Sequence, residues 1–221
     1  MSLTITSNNS SSMACIKEIH LLGGNPLNTF AHSIENDVYS ILKNNNCEEV
    51  AEHTKIVANA ARELASRFGL NEESAYIAGL LHDIGNIIPN EERVEFCNVF
   101  AIPVLEEERI APSLLHSKIS KIIAKGVFNV GEEICNAIEC HSTLKSNAGA
   151  LDLVLFVADK KSWDNKYNKY FIGEMMKGLE VSLECAAFAY IKHLHENQVE
   201  VLHPMTIEAF KYLESICINT Y

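Results

Sequence analysis

Two adjacent residues, His82 and Asp83 in the stretch GLLHDIGN, combine an imidazole with a carboxylate. Neighbouring residues on a regular helix point about 100° apart, so the two side chains cannot share one helix face. They can still reach two metal ions, because a carboxylate bridges through its two oxygens and imidazole is a common nitrogen ligand of transition metals. The pair therefore predicts a metal site in which Asp83 bridges and His82 is a terminal ligand.

Three further polar side chains follow apolar stripes of helical period and should point inward: His53, His141 and Asp159. An ionised aspartate on an apolar face is costly unless it is paired, hydrogen-bonded or bound to a cation. A single inward histidine is usually an ordinary hydrogen-bonded core residue. An all-helical core that buried four histidines and two aspartates would need a shared purpose, and one binuclear centre provides it. The predicted ligands are His53, His82, Asp83, His116, His141 and Asp159.

The donor set limits the candidate metals but does not select one of them. Mixed imidazole and carboxylate ligands suit Fe, Mn, Co or Zn better than Ca²⁺ or Mg²⁺ alone. The seven cysteines are odd in number and contain no C-x-x-C spacing, which favours reduced thiols. Cys135 and Cys140 are therefore interpreted as buried, inert thiols rather than metal ligands.

Composition favours one soluble domain. The chain has 221 residues, of which 48% are hydrophobic and 21% charged. The formal net charge of −11 argues against binding to duplex nucleic acid, and an anionic substrate would need bound cations or well-placed lysines. No basic-then-apolar leader opens the chain, and no apolar run approaches the ~20 residues that span a bilayer. We expect a cytoplasmic protein that does not bind membranes.

The periodicity predicts an all-α fold with three parts: residues 1–15 disordered or frayed, 16–48 an N-terminal helical extension, and 49–221 the main domain. From Glu48 onward nearly every segment has a helical pattern. Gly69 is a C-terminal stop for the first helix and Asn71 a cap for the second, which Gly85 and Pro89 should end. His82-Asp83 thus falls at a helix end. Further helices are predicted at about 91–99, 116–126, 132–142, 148–161, 172–197 and 205–217.

The ordered ligand pattern resembles the HD-domain superfamily of metal-dependent phosphohydrolases, whose fold is a helical bundle. Within it, the chain is similar to the YqeK-like branch, whose studied members are symmetrical diadenosine tetraphosphate hydrolases with a di-iron centre. The resemblance covers roughly Val50 to Leu213. The segments that carry it are EHTKIVANAARELASRFG, AGLLHDIG, LLHSKIS, AIECHSTLK and LFVADK.

The resemblance implies a division of the ligands between two metals. One metal would be held by His53, His82, Asp83 and Asp159. The second would be held by His116 and His141, with Asp83 as the bridge. A metal-bridging hydroxide would then attack phosphorus, with His82 and Asp83 as the central catalytic pair and iron as the first choice of metal, ahead of Mn, Co or Zn.

Candidate contacts to a nucleotide substrate are Lys145, Lys118, Lys160 and Thr143, which lie close to the ligands in sequence. Each lysine also fits a solvated surface position, and Ser142 and Thr143 could instead terminate a helix. The chain departs from the resembled branch after Asp159, where ADKKSWDNKYN replaces a segment like ADYIEPNR. It also carries HSTL in place of HTTG, and Asn86 where many HD enzymes have lysine.

Two other function classes stay open from the sequence: a di-iron oxygenase of the HD fold, and a non-catalytic nucleotide-binding regulator. A homodimer also stays open. Trp163 and Tyr167 could stack a nucleobase or form a lid or dimer contact. The late histidines are interpreted as surface or helix-end residues, and the acidic run as a solvated helix start. These residues are His193, His195 and His203, and Glu106 to Glu108.

Overall fold

A computed structural model describes residues 34–162, 169–196 and 201–217. Within these ranges the chain is all-α, as predicted, and contains no strand. Two short 3-10 helices, Ile84–Ile87 and Pro112–Leu115, accompany the α-helices. The α-helices are α1 (Ile34–Asn44), α2 (Glu48–Arg67), α3 (Glu72–Leu81), α4 (Asn90–Val99), α5 (Glu106–Ile110), α6 (His116–Phe128), α7 (Glu132–Cys140), α8 (Ala150–Ser162), α9 (Lys169–Leu179), α10 (Leu183–Glu196) and α11 (Pro204–Cys217).

Helix α8 forms the centre of the bundle. Every residue from Leu151 to Asp159 is buried, and α8 contacts α2, α3, α7 and α10. A helix that is apolar on all sides belongs in the interior of a fold. Asp159 lies near the end of this helix, so the core itself fixes the position of a carboxylate.

Helices α2 and α3 pack closely because small residues line their contact. A Cβ atom on Gly79 of α3 would lie 2.8 Å from the backbone nitrogen of Ala58 in α2, so only glycine permits this approach. The turn between the two helices is the predicted one. Gly69 has φ +68°, Leu70 N donates to Ala65 O, and the Asn71 side chain accepts from Ser74 N.

The boundary of α3 and the predicted helix at 172–197 need correction. Helix α3 ends at Leu81, before Gly85 and Pro89, and a 3-10 helix follows Asp83. The chain between 172 and 197 forms two helices with a break at 180–182. There Gly178 approaches Cys185 so closely that a Cβ would lie 2.7 Å from its carbonyl carbon, and the Ser182 hydroxyl caps α10.

Helix α1 packs its Val38 and Leu42 side chains against the main domain, and both are fully buried. It belongs to the predicted N-terminal extension, whose remaining residues lie outside the described ranges, as do Trp163 and Tyr167. The three-part division of the chain therefore stays a prediction. None of the described helices is both long and apolar enough to cross a bilayer.

Candidate metal centre

The six predicted ligands converge from five helices. His53 lies in the second turn of α2 and Asp159 near the end of α8, while the others stand at helix ends. His82 follows α3, His116 begins α6 and His141 follows α7. Their ligand atoms form three overlapping groups, each with its members within 4.8 Å of one another.

Asp159 organises the first half of the cluster. Its Oδ1 atom lies 3.0 Å from His53 Nε2 and 3.7 Å from His82 Nε2. His82 Nε2 also lies 3.6 Å from Asp83 Oδ2. These contacts bring together all four side chains that the family resemblance implies for one metal.

The second half of the cluster faces the other oxygen of Asp83. Asp83 Oδ1 lies 3.0 Å from His116 Nε2 and 3.5 Å from His141 Nε2. The two Nε2 atoms are 3.0 Å apart. Asp83 thus presents Oδ2 to one group and Oδ1 to the other, which is the arrangement of a bridging carboxylate.

Backbone carbonyls fix the tautomer of three histidines. The Nδ1 atoms of His82, His116 and His141 lie 2.7, 2.5 and 2.8 Å from carbonyl oxygens three residues earlier. A carbonyl can only accept, so each Nδ1 donates and each neutral ring keeps a lone pair on Nε2. Metal-binding histidines are oriented by this kind of hydrogen bond. All three Nε2 atoms consequently face the cluster.

Burial supports occupancy of the cluster by a cation. His82 is fully buried, and its Nε2 atom has no hydrogen-bond partner among the described residues. A buried polar atom without a partner costs free energy, and a metal ion would satisfy this one. The side chains of His53, Asp83 and His116 stay 14–20% exposed, so the cluster opens to solvent on one side.

The electrostatics favour ionised carboxylates and a neutral His141. Burial raises the pKa of Asp83, but His82 and His116 hold that pKa well below its usual range. Burial likewise opposes ionisation of Asp159, while Lys160 and His53 lower its pKa. Burial lowers the pKa of His141 to about 4. Two anionic carboxylates together with imidazole nitrogens form a donor set that suits a transition metal.

The sequence profile of the HD domain matches residues 50–164, just over half of the chain. The chain belongs to the HD-domain family. A protein of Lactococcus lactis subsp. cremoris, named only as an uncharacterized protein in the pepC 5' region, is 44% identical over 147 residues, covering 66% of this chain and 75% of that one. The family assignment and the all-helical fold confirm the resemblance drawn from the sequence.

Two further relatives carry functional names. The symmetrical bis(5'-nucleosyl)-tetraphosphatase of Bacillus subtilis is 31% identical over 146 residues, covering 64% of this chain and 75% of that enzyme. A crystal structure of a predicted HD superfamily hydrolase involved in NAD metabolism, from Clostridium acetobutylicum, superposes with a TM-score of 0.76 at 28% identity, covering 84% of this chain and all of that one. These relatives agree with the YqeK-like branch and identify the chain as an HD-domain hydrolase.

The predicted substrate contacts take up different positions in this HD domain. Lys160 Nζ lies 2.7 Å from Asp159 Oδ2, directly against one of the six clustered side chains. Lys145 pairs with Asp152 at 2.7 Å, and Lys118 pairs with Glu108 at 2.8 Å. The buried Thr143 hydroxyl donates to the carbonyl of Leu144. Among these four residues, Lys160 alone makes a contact with one of the six clustered side chains.

Ser142 lies closer to the cluster than the sequence pattern indicates. Its hydroxyl is 3.2 Å from His141 Nε2, 3.3 Å from His116 Nε2 and 2.8 Å from the Ser117 hydroxyl. Both serines directly follow a ligand histidine, and this adjacency is the only sequence signal that marks them. They add two hydroxyl groups to the half of the cluster that contains His116 and His141.

The acidic run 106–108 begins α5 as predicted, but it is not fully solvated. Glu108 is buried and contacts Lys118 and His203, whose side chain is buried as well. Burial raises the pKa of Glu108, and the contacts with His203 and Lys118 lower it to about 2. His203 stands at a helix end, as predicted, since its carbonyl accepts from Thr206 N at the start of α11. The pattern shows a helix start but does not show which glutamate turns inward.

The cysteines keep to their predicted role in the described residues. Cys135 and Cys140 are buried, and neither belongs to the ligand groups of the cluster. Burial raises the pKa of both thiols. A protonated, buried thiol is unreactive and a poor metal ligand.

Proposed function

We propose that this HD-domain hydrolase cleaves a phosphoanhydride bond of a dinucleoside polyphosphate, with diadenosine tetraphosphate as the first candidate. The observation that carries the proposal is the position of Asp83 between two histidine groups, together with the buried Nε2 of His82, which has no hydrogen-bond partner among the described residues. The name of the Bacillus subtilis relative supports the substrate. A hydrolase among the solved relatives favours this reaction over an oxygenase or a non-catalytic regulator.

The residues fit a binuclear centre. We propose that His53, His82, Asp83 and Asp159 hold one metal ion, and that Asp83, His116 and His141 hold the other, with iron first and Mn, Co or Zn as alternatives. When bound, two metal ions would supply an activated water and positive charge for the attacking and leaving oxygens. The protein's own side chains orient the proposed ligands and balance their charge.

Backbone hydrogen bonds orient the histidines, and Lys160 balances the charge of Asp159. The three Nδ1-to-carbonyl hydrogen bonds hold the imidazoles in the metal-binding tautomer. Lys160 neutralises the outer oxygen of Asp159, and Asp159 raises the pKa of Lys160 against the lowering effect of burial. This ammonium therefore stays charged beside the cluster. We propose it as the first contact for a phosphate oxygen, with Lys118, Lys145 and Thr143 as the other predicted contacts.

The acidic balance of the chain is compatible with an anionic substrate under this proposal. The net charge of −11 repels polyphosphate at long range, but cations at the cluster and Lys160 would offset it locally. The cluster opens through the partly exposed side chains of His53, Asp83 and His116. The proposed partner is thus a small nucleotide that reaches the site from solvent. A homodimer stays a prediction.

Product analysis tests the proposal. Anaerobically purified protein, loaded in turn with Fe, Mn, Co and Zn, is incubated with diadenosine tetraphosphate, dNTPs and cyclic nucleotides. Symmetrical cleavage predicts ADP as the only nucleotide product of diadenosine tetraphosphate. Asp83→Ala should abolish product formation, while His195→Ala, an exposed position on α10, should retain it. Lys160→Met should raise KM.

Each competing function predicts a different result in the same assay. Metal-loaded protein that binds nucleotide for hours and releases no product would support the regulator and contradict the hydrolase. Oxygen consumption without release of a phosphorylated product would support the oxygenase. Cleavage of dNTPs or cyclic nucleotides alone would keep hydrolysis but reject the dinucleoside polyphosphate.

A further inference from the structure

Arg93 on α4 is buried next to the cluster, although it is not one of the six ligands. Its side chain is 5% exposed and donates three hydrogen bonds. Nε donates to Ile88 O at 3.0 Å, Nη1 to Ser113 O at 2.9 Å and Nη2 to Asn86 Oδ1 at 2.7 Å. All three acceptors are uncharged oxygens, so the guanidinium acts here through directed hydrogen bonds.

Two of these acceptors lead directly to metal ligands. Ser113 O, which accepts from Arg93, also accepts the Nδ1–H of His116. Asn86 accepts from Arg93 through Oδ1 and donates through Nδ2 to the backbone carbonyl of Asp83 at 3.1 Å. A single side chain therefore connects the turn that carries Asp83 with the turn that carries His116.

We propose that Arg93 is a positioning residue that holds Asp83 and His116 at the separation required by the second metal. The proposal rests on the binuclear centre proposed above. In the present structure, the two side chains approach to 3.0 Å between Asp83 Oδ1 and His116 Nε2. Arg93 fixes the backbone behind both of them, and it makes no hydrogen bond to His53 or Asp159.

The proposal predicts an asymmetric effect on the two halves of the centre. His53 and Asp159 are held by their own 3.0 Å contact and by Lys160, from helices α2 and α8. Loss of Arg93 should therefore weaken the metal bound by Asp83, His116 and His141 more than the metal that Asp83 shares with His53, His82 and Asp159. An arginine that only fastened α4 to the domain would lower stability without this preference.

Arginine suits this position better than lysine. Its planar guanidinium carries donors in fixed directions, which match three acceptors spread over two turns. A lysine ammonium keeps the charge but is a compact point donor on a flexible stem. Arg93→Lys should thus lose most of the positioning effect, which separates directed hydrogen bonding from charge alone. Asn86→Ala removes one arm of the network and should cause a smaller change of the same kind.

Metal analysis of the Arg93 variants tests the inference. Wild-type protein should contain two metal ions per chain, and Arg93→Met and Arg93→Lys about one, with affinity for the second ion about 10–100-fold weaker, the usual effect of losing an outer-shell partner. Arg67→Lys is the matched control, because Arg67 also donates to a backbone carbonyl, Leu179 O at 3.1 Å, but far from the ligands in sequence. It should keep two ions.

Double variants identify which ion is lost. Arg93→Met combined with His116→Ala should bind the same number of ions as His116→Ala alone, since both changes weaken one half. Arg93→Met combined with His53→Ala should lose both ions. If Arg93→Met fails to fold, the same metal measurements on Asn86→Ala and Arg93→Lys test the inference.

Two kinds of result would overturn the inference while leaving the proposed metal centre intact, and a third would reject both. Arg93 variants that bind two ions with wild-type affinity would reject positioning by Arg93 while leaving the centre intact. Equal weakening of the affinity for both ions would indicate that Arg93 has only a general structural role. An equal loss of metal from Arg67→Lys would indicate the same. Wild-type protein that takes up no metal would reject the proposed centre, and the inference with it.

Discussion

His82, His116 and His141 each stand where a helix begins or ends, and each bonds to a carbonyl three residues earlier. The last carbonyls of a helix have no partner within the helix, so a ring that follows α3 or α7 satisfies one of them. The same hydrogen bond turns Nε2 toward the cluster. For these histidines, one hydrogen bond therefore joins the ring to a helix end and turns it toward the cluster.

The buried, neutral state of His141 predicts a pH dependence for the metal-free protein. Burial lowers its pKa to about 4 when folded, against about 6.5 when unfolded. Between these values the unfolded chain binds more protons, so stability should fall as pH drops through this window, by up to about 3 kcal/mol. His53, whose pKa is raised by Asp159 against burial, contributes with the opposite sign and only at higher pH.

Urea unfolding of metal-free protein between pH 7 and pH 4 measures this effect. His141→Gln removes the titrating group and should flatten the dependence of the free energy of unfolding on pH. His195→Ala changes an exposed histidine and should leave the wild-type slope. Equal slopes for wild type and His141→Gln would contradict a buried neutral His141.

The convergence of the six side chains could be predicted from sequence because residue type and periodicity mark them separately. Histidine and aspartate on an apolar stripe are conspicuous, and the ordered set of six with its flanking segments indicates the family. Arg93 carries no such mark, since arginine on a short amphipathic helix is ordinarily solvated. Its role depends on Ser113 and Asn86, which come together only after the chain folds.

At the scale of the element, Gly85 controls how the HD turn docks on α6. A Cβ atom at this position would collide with the backbone carbonyl of His116 and lie 2.8 Å from the backbone nitrogen of Ser120. Gly85 N also donates to the Ser120 hydroxyl at 2.8 Å. The glycine thus allows the 3-10 helix after Asp83 to touch the first turn of the helix that carries His116.

Gly85→Ala should therefore destabilise the fold by about 1–3 kcal/mol and weaken metal binding, because overpacking pushes the two turns apart. Gly126→Ala is the matched control. Gly126 lies on α6 itself, and a Cβ atom there would meet no atom within 4 Å. The control should be neutral or stabilise by about 0.5–1 kcal/mol, since alanine is the better helix former. Thermal unfolding and metal titration measure both effects. Equal stability of the two variants would contradict the docking role.

The sequence predicted the helices well but not all of their ends. Gly69 and Asn71 carry the local chemistry of a stop and a cap, so that turn could be predicted. The break at 180–182 depends on the close approach of Gly178 to Cys185, a tertiary contact that helical periodicity does not show. The pattern predicts Gly85 as a helix terminator, whereas in the fold it permits the close contact with α6.

Across the whole molecule, the bundle gathers the six predicted ligands from sequence-distant helices around the end of one buried helix. Helix α8 supplies Asp159 from the core, and α2, α3, α6 and α7 bring the other five side chains to it. The fold and family could be predicted from sequence, since both follow from periodicity and ordered motifs. The substrate could not, because the segment after Asp159 departs from the resembled branch and lies partly outside the described residues.

The metal content of Asp83→Ala tests whether Asp83 bridges two metal ions. Among the described residues, Asp83 alone contacts both histidine groups through separate oxygens. Anaerobically purified wild-type protein should contain two metal ions per chain by elemental analysis, and Asp83→Ala close to none, whereas His53→Ala should keep about one. An Asp83→Ala protein that is folded and still holds two ions would contradict the account.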